Sequence, residues 1–398
     1  MFNPYLWILS IGHLVVDLGQ GVLPIITPFL AVRLDLSFFQ VGLIALAFTF
    51  SSAIIQPIFG VLSDRYSMLW LMPLGLFLSG FGLALTGMVN SYELLLFAVL
   101  LSGVGVAGFH PEGSKIANYV SEKGKAGASM AIFSVGGNLG FALGPMFAVF
   151  LLSFSGLDSI YGVIVPGTIA AIFFLILTPR FKEIVKEKSS SRKKQKINAI
   201  STRNNKVSLI LLIIYVTVRS WVHAGLVYFI PFYFPAFRDI ADPEYLVTIY
   251  LMAGALGTVL GGPFADRFGG RNGLLVSMVV SLIVVYPFLH LSGNWIPFLA
   301  FVLGLALIST FSTTVVFGQK LMPNNLGLAS GLLLGFAVGM GSIGVTIMGS
   351  IADNFGLPVA MNVISLLPIL GIVLAFTLPD DRPKSATIKT DIPLEQEA

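Results

Sequence analysis

Seven ionisable side chains sit inside long apolar stretches of this chain: His13 and Asp17, then His110, Glu112 and Lys115, and later Arg219 and His223. His13 and Asp17 are four residues apart, as are Arg219 and His223, so each pair shares one face of a helix. A carboxyl beside an imidazole can take up and release a proton. A guanidinium can grip a carboxylate or phosphonate through two parallel hydrogen bonds. The third group reads Phe109-His110-Pro111-Glu112-Gly113-Ser114-Lys115. There Glu112 and Lys115, three residues apart, could simply neutralise each other, and Pro111 is expected to disrupt the helix. Ionisable groups in an apolar solvent cost several kcal/mol unless paired or hydrated, so they default to functional candidates. The competing reading is that they are structural pairs that fix helix packing.

The elements that must position these residues follow from composition. The chain of 398 residues is 56% hydrophobic and 11% charged, with a mean hydropathy of +0.91. Soluble domains carry about 25% charged residues, so lipid is the solvent here. Spanning it takes about 20 apolar residues per helix. Qualifying stretches lie near 5–32, 38–62, 69–89, 93–118, 126–153 and 159–178, and again near 207–235, 245–265, 272–290, 295–319, 327–350 and 357–378. The expected fold is therefore an all-α membrane protein of twelve transmembrane helices in two six-helix halves, 1–179 and 207–379. A basic linker, 180–206, separates them, and a tail, 380–398, follows. The first stretch is too long for a signal-peptide core and lacks a basic leader and an A-x-A site, so it reads as a retained span. Asp17 and Arg219 each lie roughly 18 Å from the end of their spans, near mid-bilayer.

Absences narrow the chemistry. There is no cysteine, which removes disulfides and thiolate chemistry. The four histidines form no H-x-x-H or H-E-x-x-H pair, so neither a catalytic zinc site nor any other metal or cofactor has sequence support. Gly103–Gly108 and Gly339–Gly344 match G-x-G-x-x-G, but both sit inside apolar spans. They read as small residues for close helix packing rather than a dinucleotide loop. Gly136, Gly140 and Gly144, followed by Pro145, line one helix face at four-residue spacing and suggest a smooth surface on which two halves move.

The chain also repeats itself. Gly60-Val61-Leu62-Ser63-Asp64-Arg65-Tyr66 and Gly262-Pro263-Phe264-Ala265-Asp266-Arg267-Phe268 lie 202 residues apart, and the same offset carries Asp17 onto Arg219. Doubling in so apolar a chain points to a carrier that rocks one half against the other. The two D-R segments read as short loops. They are either positive-inside residues with a helix-capping Asp, or a latch of Asp64, Arg65, Asp266, Arg267 and Arg271 whose charges pair in one state only. With both termini inside, nineteen Lys and Arg fall on the inner side, ten of them in the linker, while only Arg33 and Arg238 fall outside. That asymmetry predicts cytoplasmic termini in a multi-pass cell membrane. The linker reads as a solvated segment near anionic lipid headgroups rather than a nucleic-acid site.

Twelve spans in two halves, a central basic linker and doubled D-R segments resemble the major facilitator superfamily. Gly12-His13-x-x-x-Asp17, Phe109-His110-Pro111-Glu112, Gly136-Gly137-Asn138 and the glycines from Gly331 to Gly344 ahead of Ala352-Asp353 resemble its fosmidomycin-resistance branch. The resemblance implies a drug exporter driven by proton influx and acting on a small anionic phosphonate. It also implies that Asp64 and Arg65 help stabilise the outward-open state. Here Ser67-Met68 replace the usual Gly and basic pair, which weakens that latch in the first half.

The expectation is thus a monomeric, proton-coupled efflux carrier rather than an enzyme. Arg219, with His223, Asn138 and Gln20, would hold the substrate. Asp17, with His13, His110 and Glu112, would carry the proton. An importer working by symport, and a transporter-like receptor or scaffold, are the rivals. If Asp17 paired with Arg219, protonating Asp17 would free Arg219 for an anion, which is symport logic.

Overall fold

The structure, a computed structural model, describes residues 3–66, 68–121, 126–192, 205–322, 329 and 332–381. All regular structure among them is helical. An apolar segment in lipid must satisfy its backbone groups internally, and a helix does so within one segment. Twelve columns follow in chain order. In the first half, α1 is Pro4–Leu34, and α2 runs through Phe38–Thr49, a π-helical turn Phe50–Ile54, and Ile55–Tyr66. Next come α3, Leu71–Leu85, α4, Tyr92–Tyr119, and α5, Ala126–Ser155. A 3-10 segment, Gly156–Val163, leads into α6, Ile164–Arg192.

In the second half, α7 is Lys206–Phe237, α8 is Glu244–Phe268 and α9 is Gly270–His290. The α10 column joins Ile296–Ile308 to Thr310–Leu321. The α11 column joins a π-helical turn, Leu332–Phe336, to Ala337–Gly339 and Gly341–Phe355, and α12 is Leu357–Thr377. Nine helical runs among the described residues are long and apolar enough to cross a membrane; one of them, Ser129–Glu187, covers both α5 and α6. With the shorter α3 and α11, the twelve expected columns are all present.

Local chemistry sets the helix ends. Asn3 caps α1 by accepting from the Tyr5 amide, with Pro4 at the first helical position. Ser37 and Gln40 form a reciprocal capping box at the start of α2. Between α8 and α9 the chain turns on Gly269 at φ +88°, a conformation that favours glycine.

Several sequence expectations change here. Asp64-Arg65 and Asp266-Arg267 are not in loops: each pair lies in the last turn of a helix, α2 or α8. The helix α4 runs unbroken through Pro111, as membrane helices tolerate where neighbours re-satisfy the freed groups. Beyond the expected end of its span, α6 continues to Arg192. Phe181 anchors that extension by burying itself edge-on to Tyr5, with ring centroids 6.0 Å apart. The first part of the basic linker is therefore helix docked on its own half. Lys123, Lys125, linker residues 193–204 and tail residues 382–398 lie outside the described residues, as do the side chains of Asp64, Arg65 and Asp266.

The glycine face of α5 is also placed differently. A methyl added at Gly136 or Gly140 would strike the Ser10 or Leu14 carbonyl of α1, and one at Gly144 would meet Gly21. That face is a tight seam inside the first half, not the surface between halves. Buried Pro145 follows on the same helix.

The halves meet where α2 begins and α11 ends. Both Asp353 carboxylate oxygens accept backbone amides across the interface, from Phe38 and Phe39 at 2.8 Å each. Phe38 packs edge-on to Phe229 and Phe232 of α7. Glycines permit the approach, since a methyl at Gly42 would meet the Thr346 backbone and one at Gly349 the Phe38 carbonyl.

Candidate functional site: a histidine–aspartate cluster and a lone arginine

The first polar centre forms where α1, α4 and α5 converge. His13, Asp17 and His110 are largely buried, with side-chain exposures of 10%, 12% and 17%. The Asp17 carboxylate lies 3.1 Å from His13 Nε2 and 3.3 Å from His110 Nε2, and the two Nε2 atoms are 3.1 Å apart. Each ring is fixed from behind. His13 Nδ1 meets the Phe133 carbonyl at 2.7 Å, and His110 Nδ1 meets the Val106 carbonyl at 2.8 Å. A carbonyl only accepts, so both Nδ1 atoms carry their hydrogen, and in the neutral rings both Nε2 atoms present lone pairs.

Three acceptor groups thus point at one small space. Such a convergence is repulsive unless a cation fills it, and one proton shared among the three is the smallest cation that does so. Gln20 Nε2 donates to Asp17 Oδ1 at 2.6 Å and steadies the carboxylate. The Phe133 ring stacks on His13 at 4.2 Å between centroids. Gly137 leaves the necessary room, because a methyl there would run into His13 Nε2 and Asp17 Oδ2.

The second centre lies between α7, α8 and α10. Arg219 is 5% exposed. Its guanidinium donates to Thr310 Oγ1 at 3.2 Å and sits over the Phe311 ring, 5.5 Å from the centroid. Among the described residues it forms no ion pair. His223, one turn along, turns to α8 instead, where its Nδ1 meets Tyr250 Oη at 2.8 Å. The Phe141 ring reaches His223 from the first half, 6.2 Å away edge-on.

Of the expected proton set, His13, Asp17 and His110 come together and Glu112 does not. Glu112 is fully buried on another face of α4. Its Oε1 accepts from Ser63 Oγ at 2.5 Å and from the Met68 amide at 2.9 Å, tying α4 to the end of α2. Lys115 lies 3.9 Å from its Oε2, so the pair does offset charge, and Lys115 also donates to the Ser63 carbonyl at 2.8 Å. The Asp17–Arg219 pair is not formed; histidines and Gln20 surround Asp17 instead. Gln20 therefore joins Asp17 rather than Arg219. Asn138 is half-buried, and its side chain makes no hydrogen bond among the described residues.

Of the expected latch residues of the second half, Arg267 and Arg271 make their described contacts within it. The Arg271 amide donates to Asp381 Oδ1 at 3.0 Å and its guanidinium to the Phe376 carbonyl at 2.9 Å, while Lys320 pairs with Asp381 at 3.1 Å. Arg267 lies over the Phe268 ring. Thr310, Tyr250, Phe141 and the carbonyls of Phe133 and Val106 were not legible in advance, since only the folded chain brings them near. Gly137 had a signal, the paired glycines ahead of Asn138.

Two six-helix halves meeting around buried, oppositely charged polar centres make this a membrane transporter of small molecules. The chain belongs to the Major Facilitator Superfamily, whose family model matches residues 9–241 and again 239–395. It is 31% identical over 382 residues to the fosmidomycin resistance protein of Escherichia coli (strain K12), covering 94% of this chain and 93% of that one. It is 35% identical over 390 residues to the uncharacterized MFS-type transporter YfnC of Bacillus subtilis (strain 168), covering 95% and 93%. In fold it is similar to a bacterial homolog of the human lysosomal transporter Spinster in an inward-facing, unoccupied conformation. The TM-score is 0.76 at 14% identity, over 94% of this chain and 97% of that one. Its relatives and structural neighbours are transporters, not enzymes.

Proposed function

We propose that this protein is a proton-coupled exporter of small anionic compounds, with phosphonates of the fosmidomycin kind among its candidate substrates. The observation that carries the reading is Arg219, a buried cation with no anionic partner among the described residues. A guanidinium held this way keeps planar donors ready for a carboxylate or phosphonate. The coupling proton occupies the space between Asp17, His13 and His110. Proton and anion sites belong to opposite halves, so each biases the rocking of one half on the other, and coupling passes through that equilibrium.

Export is favoured by the resistance for which the Escherichia coli relative is named. The electrostatic case for symport rested on an Asp17–Arg219 pair, and Asp17 is partnered by histidines instead. The charge count supports cytoplasmic termini and a cytoplasmic linker. In that orientation the Asp353–α2 contact closes the outer end. Each centre is built by one chain, which suits a monomer.

Vesicles of the purified protein with an imposed pH gradient test the reading. An antiporter accumulates a labelled phosphonate when the lumen is acidic, as protons leave in exchange. Accumulation in an alkaline lumen instead would establish symport. Absence of uptake under either gradient, across a panel of small anions, would leave the exporter reading without support.

A further inference from the structure

We propose that the space between His13, Asp17 and His110 is also a binding site for a single divalent transition metal ion, zinc, cobalt or nickel, which blocks transport when bound. The binding stands on geometry alone; the block rests on the coupling role proposed for the cluster. Zinc holds imidazole nitrogen and carboxylate oxygen at about 2.0–2.1 Å, so two ligands at the tetrahedral angle are about 3.3 Å apart. Here the two Nε2 atoms stand 3.1 Å apart, Asp17 Oδ2 lies 3.1 Å from His13 Nε2, and Asp17 Oδ1 lies 3.3 Å from His110 Nε2. Each imidazole thus stands at such an edge length from the other and from one carboxylate oxygen, and one ligand atom from each residue falls within 4.8 Å of the others.

The surroundings are those of a prepared site. Both imidazoles are locked with Nδ1–H on a backbone carbonyl and the Nε2 lone pair turned inward, the outer-shell arrangement that orients metal-binding histidines. Gln20 holds the third ligand through Asp17 Oδ1. The rings stand 4.8 Å apart at 88°, so both can reach one centre without clashing. His110 is the most exposed of the three, at 17% of its side chain. Two neutral imidazoles and one carboxylate suit zinc, cobalt and nickel, whereas magnesium and calcium prefer six or more oxygens. The spacing of 97 residues between the two histidines hides the site from any short-motif reading.

Cobalt titration of the purified protein tests this directly. One Co2+ per chain should bind with the visible absorption of a four-coordinate site, and Zn2+ should displace it. His13→Asn and His110→Asn should each weaken binding more than tenfold. His290→Gln, at the partly exposed remaining histidine outside both centres, should bind as the wild type does. X-ray absorption at the zinc edge of the wild-type protein needs no variant and should count two imidazoles. A zinc spectrum without imidazole, or cobalt binding unchanged in His110→Asn, would overturn the site. In vesicles at a fixed pH gradient, Zn2+ should stop accumulation of the labelled phosphonate. Cobalt binding with transport unaffected by zinc would overturn the block. Cobalt binding in a protein that transports nothing would uphold the site and count against the exporter reading.

Discussion

In the first half His13 and Asp17, four residues apart, close on each other and draw in His110 from α4. In the second half Arg219 and His223, at the same spacing, turn away from each other, one to Thr310 of α10 and the other to Tyr250 of α8. The first centre is a carboxylate set among imidazoles. The second is a guanidinium with no anionic partner among the described residues. Equal spacing on a helix therefore fixes only a shared face; the neighbouring helices decide whether the pair bonds. The two centres differ in charge, and they sit in different halves.

The largest effect that would break this comparison lies in the cluster. Asp17→Asn removes the only formal negative charge among the three groups, so gradient-driven accumulation should be abolished while passive exchange of substrate persists. Counterflow assays beside uphill transport in the same vesicles read both. Uphill transport at the wild-type level would make Asp17 structural.

A smaller effect is expected at the lone cation. Arg219→Lys keeps the charge but loses the planar fork and its stacking on Phe311. Substrate affinity should fall by about tenfold, a loss of about 1.4 kcal/mol, with protein yield and elution unchanged. Titration calorimetry with a phosphonate ligand checks it, and unaltered affinity would remove Arg219 from the substrate site.

The smallest effect on coupling should come from Glu112→Gln. The amide can still accept from Ser63 and Met68, so proton-driven accumulation should survive. The cost should appear in stability, at about 1–3 kcal/mol, because Lys115 loses its buried counter-charge. Thermal unfolding in detergent reads the loss, and a loss of coupling instead would return Glu112 to the proton set.

Much of the architecture was legible because lipid leaves an apolar chain few choices. Span length and the doubled D-R segments were enough to expect twelve helices in two halves. Asp17 and Arg219 stood out because charge in an apolar run is costly. What the sequence could not show was partnership across helices. Asp17 and Arg219 looked like a pair by charge, yet His110, 97 residues from His13, supplied the contact. Glu112 looked equivalent to His110 because only two residues separate them, but that step turns a side chain by roughly 200° around a helix. The glycine stripe of α5 announced a close approach without saying to which neighbour.

The contact between Asp353 and α2 has one more property. Its donors are the main-chain amides of Phe38 and Phe39, which every amino acid except proline supplies. The clasp is therefore indifferent to which side chains stand at 38 and 39, and substitution there can retune the aromatic packing while leaving the bond between halves in place. Only a proline, or a change at Asp353 itself, unfastens it.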